Sequence, residues 1–490
     1  MWTPSRRQFV RTAAAAGAGA LLGPISSVAQ PAPSARPRQD DSVTVLHPRM
    51  RVPLSFFIDD STCLANLGHF CMPQFAEAWP NRDIYKKPWK TWPREIPDAF
   101  LREFGQWCSE HGVRGKFSIV PCPACVGWLD RELPGWPRRE LQDSLKLVRE
   151  LMVPSWDIHP EMVTHTRVID LKTGRPVAEI NSGTMENSYP SGKKSVDELA
   201  VYVAYALRVL KNCDLPCEGV TTPGGFGNAV KSEFSLAVHQ AVRDVYQAEL
   251  PHYFKYVADG KESTQPRLEH VDGLDTDNPR AVVSVWAGTG DWFGNWDGDA
   301  EVHGEKYCNA DATGGRMVEL IERNEPAVML CHWPGLYNQG TRKGFESFKQ
   351  VILALEQKYR DRTLWMTSRE LARYAAAREL TKIERKDGPG GKDGAEGKDA
   401  PARKDAPGRK AGTITLTAPF ACPQFTLRLA AGGGAAAAPA GPPAITHSNQ
   451  PIPLREVAAL RDLQAGTWLK QADGVVVCFD LTKGVTTISG

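Results

Sequence analysis

Leu54-Ser55-Phe56-Phe57-Ile58-Asp59-Asp60 is an apolar run of strand length that ends in two adjacent carboxylates. Similar apolar runs recur at 116–120, 156–158, 219–222, 245–248, 282–286, 327–331 and 364–367. Between them lie helical patterns: Leu101, Phe104, Trp107 and Cys108 share one face, and Leu199, Val203, Leu207 and Leu210 another. Spacings of three and four return to the same side of a helix. Seven or eight strand-then-helix units between residues 51 and 380 imply an α/β fold whose parallel sheet closes into a distorted (β/α)7-8 barrel.

The chain has 490 residues, 59 Lys+Arg against 57 Asp+Glu, a formal charge of +2, and 42% apolar residues. That length suits one large domain with a smaller companion, or two to three domains of ordinary size. Charge so close to balance argues against a nucleic-acid or polybasic membrane binder, which needs a surplus of Lys and Arg. Small molecules or neutral polymers are the expected partners. No apolar run reaches the roughly 18 residues that a membrane-spanning helix requires.

The first residues carry an export pattern. Ser5-Arg6-Arg7-Gln8-Phe9-Val10 resembles a twin-arginine signal, followed by a weakly hydrophobic stretch at 13–25 and a small-residue cleavage site, Ser27-Val28-Ala29. The expectation is a signal over 1–29 and a periplasmic or extracellular protein. Its loss would remove Arg6, Arg7 and Arg11 but no acid, leaving the remainder about neutral. The 11 cysteines are an odd count, so at least one stays unpaired in a monomer. Cys122-Pro123-Ala124-Cys125 reads as a local disulfide or buried thiols ahead of a redox or zinc site.

Residues 30–50 read as a tether, 51–380 as the barrel, and 381–412, rich in Lys, Asp, Gly, Pro and Ala, as a flexible linker. Short β-type runs at 413–417, 425–429, 474–479 and 484–488 make 413–490 a small all-β domain.

In parallel barrels the chemistry sits at the C-terminal strand tips. The informative tips here are Asp59-Asp60, His159 with His165 six residues on, Thr221-Thr222-Pro223-Gly224-Gly225, and His332. Two neighbouring carboxylates at a strand end are costly unless a cation or hydrogen-bond donors offset their repulsion. One carboxylate with two imidazoles is a common zinc shell that leaves positions open for water and substrate. Residues six apart do not share a helical face, so at least one of the two histidines belongs to a loop. Taken singly, each has a plain structural reading, as a cap, an Arg partner or a buried histidine; their joint placement makes the case. Gly224-Gly225-Phe226-Gly227 lacks both nucleotide-binding glycine spacings.

These residues resemble the polysaccharide deacetylase family of carbohydrate esterases. Phe56-Phe57-Ile58-Asp59-Asp60 is similar to its first motif, Lys116-Phe117-Ser118-Ile119-Val120 to its second strand, and Trp156-Asp157-Ile158-His159 through Thr164-His165 to its two-histidine motif. Thr222-Pro223-Gly224-Gly225, Leu330-Cys331-His332 and the segment from Leu364 to Leu371 resemble later motifs, and Asp291-Trp292 lies where the family has an Asp-Trp pair. The resemblance implies Asp60, His159 and His165 as ligands of a divalent metal, zinc by preference. It implies Asp59 as general base, His332 as general acid, and Gly224, Gly225, Asp291 and Trp292 around a carbohydrate substrate that loses N- or O-acetyl groups. Three departures stand out. The two histidines are six apart rather than four, so Glu161 can replace one; Thr221 occupies the place of an orienting arginine; and Gly224 replaces an aromatic residue. Two other readings stay open: a non-catalytic carbohydrate-binding or structural protein on this fold, and a metal-independent glycoside hydrolase using Asp59 or Asp60 with Glu161.

Overall fold

The computed structural model describes residues 36–386, 412–430 and 443–489. The expected signal over 1–29 and most of the expected linker lie outside the described residues. The chain divides into two compact units. One holds Val52–Gly273 and Arg280–Ala372; the other holds the described residues of Ala32–Arg51, Leu274–Pro279 and Arg373–Gly490.

The first unit is mixed α/β. Its strands are β1 (Val52–Asp59), β2 (Gly115–Ile119), β3 (Trp156–Pro160), β4 (Gly219–Thr221), β5 (His252–Val257), β6 (Arg267–Asp272), β7 (Arg280–Ala287), β8 (Ala327–His332) and β9 (Thr363–Trp365). Every residue of β1, β2 and β3 is buried, as expected for parallel strands covered on both faces. One sheet runs β8-β1-β2-β3, all parallel, with β9 pairing the first residues of β1. A second sheet runs β4-β5-β7-β6, parallel except for the antiparallel β6–β7 pair.

The expected closed barrel is not present as a continuous ladder among the described residues. Backbone pairing between the two sheets is reduced to isolated bonds. A parallel bridge joins Glu161 to Thr221 on one side, and Gly288 N donates to Val328 O at 2.8 Å on the other. Pro160 has no N–H to offer β4, so the β3–β4 seam loses its regular pairing.

The helical faces read from spacing coincide with α1 (Asp98–Glu110), which buries Phe100, Leu101, Phe104 and Cys108, and α2 (Val196–Asn212), which buries Leu199, Val203, Leu207 and Leu210. Ser195 and Glu198 form a capping box that starts α2. The run at 245–248 is not a strand. Val245 closes the buried stripe of α3 (Lys231–Tyr246), which ends at Gln247 in the left-handed region, and the strand follows at β5. His252 and Lys255 inside β5 interrupt the apolar run that would have marked it.

Gly115 is where β2 presses against β1. A Cβ there would lie 1.8 Å from Phe56 O and 2.6 Å from Phe56 C, both backbone atoms of the neighbouring strand. Gly115→Ala is therefore expected to lower the melting temperature by about 4–5 °C, the shift that about 3 kcal/mol of overpacking gives a unit of this size. A melt within about 2 °C of the parent would refute the close approach.

The second unit is all-β, with two five-stranded sheets. In one, Val43–Val45 pairs with Cys422–Ala430, followed by Gly474–Leu481, Thr467–Gln471 and Arg455–Glu456. In the other, Lys382–Lys386 pairs with Thr413–Ala418, followed by Gly484–Ser489, Ala444–His447 and Gln450–Ile452. Two sequence boundaries move accordingly. Val43–Val45, inside the expected tether, is a sheet strand, and so is Lys382–Lys386, at the start of the expected linker. Charged ends conceal the second: of Lys382-Ile383-Glu384-Arg385-Lys386 only Ile383 is buried, as suits an edge strand.

Candidate active site

β1 ends in Asp59, and Asp60 turns the chain sharply with φ of 59°. Asp59 is paired in register with His332 at the tip of β8, so the first and last motifs meet by strand pairing alone. Lys116, fully buried on β2, sends its ammonium to Asp59 Oδ1. The same Nζ donates to Ser118 Oγ at 2.7 Å and Thr221 Oγ1 at 3.1 Å, and Ser118 Oγ donates to Asp59 at 3.1 Å. The rings of Phe57 and Phe254 lie 5.3 and 4.8 Å from Nζ. Burial pushes the Asp59 carboxyl above its usual range, against the pull of Lys116.

Asp60, Glu161 and His165 bring three buried donor atoms together. His165 Nε2 lies 2.8 Å from Asp60 Oδ1 and 3.5 Å from Glu161 Oε1. Glu161 Oε2 accepts from the backbone N–H of Asp60 at 2.7 Å, tying the two carboxylate segments together. Neither carboxylate oxygen of Asp60 accepts a well-angled hydrogen bond. Two buried carboxylates and one imidazole facing a common point suit a divalent cation: zinc takes imidazole nitrogen and carboxylate oxygen alike, and bonds of about 2.0–2.2 Å place neighbouring ligands roughly 3–3.5 Å apart. This group could hold a metal.

His159, which the resemblance places with Asp60 and His165, stands in a different group. It lies on β3, fully buried, with Asp157 and His252. His165 is on the following loop with φ of 63°, and the partner four residues before it is Glu161. The departure in spacing has a simple geometric cause: β3 continues past His159, so only the residue beyond Pro160 reaches the strand tip.

His332 Nδ1 is 2.7 Å from Asp291 Oδ2, which also accepts the His332 backbone N–H at 3.1 Å. Burial works against charge on this ring, but the Asp291 hydrogen bond and the negative charges of Asp60, Asp291 and Asp59 lift its pKa to about 9. Trp292 packs on Tyr307, with ring centroids 4.8 Å apart. Gly224 and Gly225 lie against Asn187; a Cβ at 225 would come 2.6 Å from Asn187 O. Gly225, Asn187, Trp79 and Arg82 help line a cavity of about 490 Å³. Trp79 packs on Phe75, whose ring centroid is 6.2 Å from that of His165.

Sequence reasoning missed Glu186. Its buried carboxylate accepts from the backbone N–H groups of Val163, Thr164 and His165 at 3.1, 3.0 and 2.7 Å, and from Tyr202 OH. Burial raises it to about 7 against the pull of those donors. It fixes the loop on which Met162 and His165 both have positive φ. Nothing in the spacing marks it, because it is 21 residues from His165 and acts through backbone. All 11 cysteines are free, Cys122 and Cys125 included.

Among the described residues no helix is long and apolar enough to cross a membrane. No family model matches the chain, and no curated protein matches it. Solved structures do overlap with it. A Mycobacterium smegmatis protein assigned as a polysaccharide deacetylase is 11% identical, covering 71% of this chain and 97% of its own, with a TM-score of 0.36. A mutant CE4 family pseudoenzyme with restored enzymatic activity is 12% identical, covering 67% and 70%, with a TM-score of 0.29. A Bacteroides thetaiotaomicron protein assigned as an alpha-L-fucosidase is 11% identical, covering 92% and 95%, with a TM-score of 0.32. All three scores lie below 0.5, so the functional reading rests on the residues of this chain.

Proposed function

We propose that this chain is an exported, metal-dependent hydrolase of the deacetylase type that removes N- or O-acetyl groups from a glycan. The observation that carries the reading is the meeting at one end of the first unit of a metal-capable Asp60–Glu161–His165 group, the Asp59 carboxylate held by Lys116, and the His332 imidazole held by Asp291.

A divalent ion bound by Asp60, Glu161 and His165, zinc by preference, would polarise the acetyl carbonyl and lower the pKa of a water. Asp59, positioned by Lys116 and Ser118, takes that water's proton. Asp291 fixes Nδ1 of His332, so the proton passed to the departing amine or alkoxide sits on Nε2. The glycine turn at Gly224-Gly225 and the cavity wall of Trp79 and Arg82 receive the sugar. Export rests on the twin-arginine pattern over 1–29.

The test is acetate release from N-acetylated glucosamine oligomers and O-acetylated xylan oligomers, before and after chelation and with Zn²⁺ added back. Release that vanishes on chelation and returns with Zn²⁺ is expected; no release under any condition would sink the proposal. The pH profile adds a second check. An acid held at about 9 is protonated below that pH, so activity falls as pH rises through about 9. Asp291→Asn weakens the hydrogen bond and removes one of the charges that raise it, so the alkaline limb moves down toward the ordinary histidine range of about 6.5. A limb that stays in place in Asp291→Asn would remove His332 as the acid.

A further inference from the structure

We infer that Asp157, His159 and His252 form a second metal site inside the first unit, distinct from the Asp60 group. All three are buried, the two histidines completely. Asp157 and His159 project from β3, and His252 opens β5. Asp157 Oδ2 lies 2.6 Å from His252 Nε2 and 3.1 Å from His159 Nε2, and the two Nε2 atoms are 3.1 Å apart. In a triangle with those sides every corner lies about 1.7 Å from the centre. An ion about 1.2 Å out of its plane therefore stands about 2.1 Å from all three atoms, the bond length zinc makes to imidazole and carboxylate.

Two imidazoles and one carboxylate converging from one side are a divalent-metal ligand set by residue type as well as spacing. Two Nε2–H groups donating to Asp157 Oδ2 would leave the two nitrogens 3.1 Å apart with no bond between them, whereas a cation bonds all three atoms. His159 also has the outer support that metal-bound histidines carry: its Nδ1 is 3.2 Å from Thr221 Oγ1, which fixes the ring with Nε2 facing the group. The fourth wall is glycine. Gly219 sits between the two histidines, and a Cβ there would fall 2.5 Å from His159 Nε2 and 2.6 Å from His252 Nε2. Any larger residue on β4 would displace both donors.

Buried residues of β3, β4 and β5 carry and flank the three donors, so the role inferred for the site is structural. It clamps β3 to β5 across β4, close to the seam where backbone pairing comes down to the isolated Glu161–Thr221 bridge. That assignment does not depend on the hydrolase reading.

Protein produced in Zn²⁺-supplemented medium and desalted without chelator is measured for zinc per chain. Two equivalents are expected in the parent, one in His252→Gln, one in Asp60→Asn, and none in the double variant. One equivalent in the parent that persists in His252→Gln and disappears in Asp60→Asn overturns the second site and leaves a hydrogen-bonded triad. One equivalent lost only in His252→Gln keeps this site and removes the Asp60 one, so the two failures are distinguishable. Because a buried substitution can unfold the chain, zinc-edge anomalous scattering from parent crystals gives an independent reading. A peak between Asp157, His159 and His252 is expected, and its absence overturns the inference.

Discussion

Asp59→Asn is expected to lower turnover of an acetylated substrate by about 10²–10⁴, the range that a positioned general base contributes. The substitution keeps the size and one acceptor oxygen of the side chain, so Ser118 and Lys116 retain a partner. What it removes is the capacity to take a proton. Burial holds this carboxyl above its usual range while Lys116 limits the rise, and a base lifted in this way accepts a proton more readily than an exposed aspartate. The loss should fall on kcat with KM nearly unchanged, since Asp59 would act on water and not on the glycan. Zinc content should stay at the parental level, because the donors of the Asp60 group are separate side chains. Turnover within about twofold of the parent would show that the base lies elsewhere. A fall in zinc content would instead make Asp59 part of the ion's own shell.

Much of this site was legible as strand ends. The Asp59-Asp60 tip and the His332 tip needed only the rule that chemistry collects where parallel strands stop, and their registered pairing follows from β8 lying beside β1. Asp291 was marked by its place beside Trp292, although its hydrogen bond to His332 depends on a loop path that no spacing fixes. His159 shows the limit of motif reading. Side-chain direction in a strand alternates, and whether a residue reaches the tip or the interior depends on where pairing ends; β3 runs to Pro160, which keeps His159 inside and brings Glu161 beside Asp60 and His165. His252 and Lys255 were hidden because a strand carrying buried polar groups does not look apolar, and the same mixture obscured the whole of β5. The edge strand Lys382–Lys386 failed for the opposite reason: with four of five residues outside the core, its composition is that of a linker.

Thr221 stands where an orienting arginine was expected, and the cation arrives instead from β2. Lys116→Met is therefore expected to be the most destabilising substitution in the site. Methionine fills the volume of the lysine stem, so packing is largely kept, but Asp59 is left as a buried carboxylate without its counter-charge. Removing one partner of a buried ion pair costs about 3–5 kcal/mol, because the remaining charge keeps its desolvation penalty and loses its compensation. The loss also unsettles Ser118 Oγ and Thr221 Oγ1, both of which accept from the ammonium. Asp59→Asn alone leaves the ammonium with Ser118 Oγ, Thr221 Oγ1 and the Ile58 carbonyl, so it should cost less. In the double variant Lys116→Met with Asp59→Asn neither charge remains, and a substantial part of the single-variant loss should return. A cycle of denaturant melts on the four proteins measures this coupling, which for contacting residues lies at about 0.5–3 kcal/mol. Strict additivity would mean that Lys116 and Asp59 do not depend on one another, and the cation of this site would then have to be sought among other side chains.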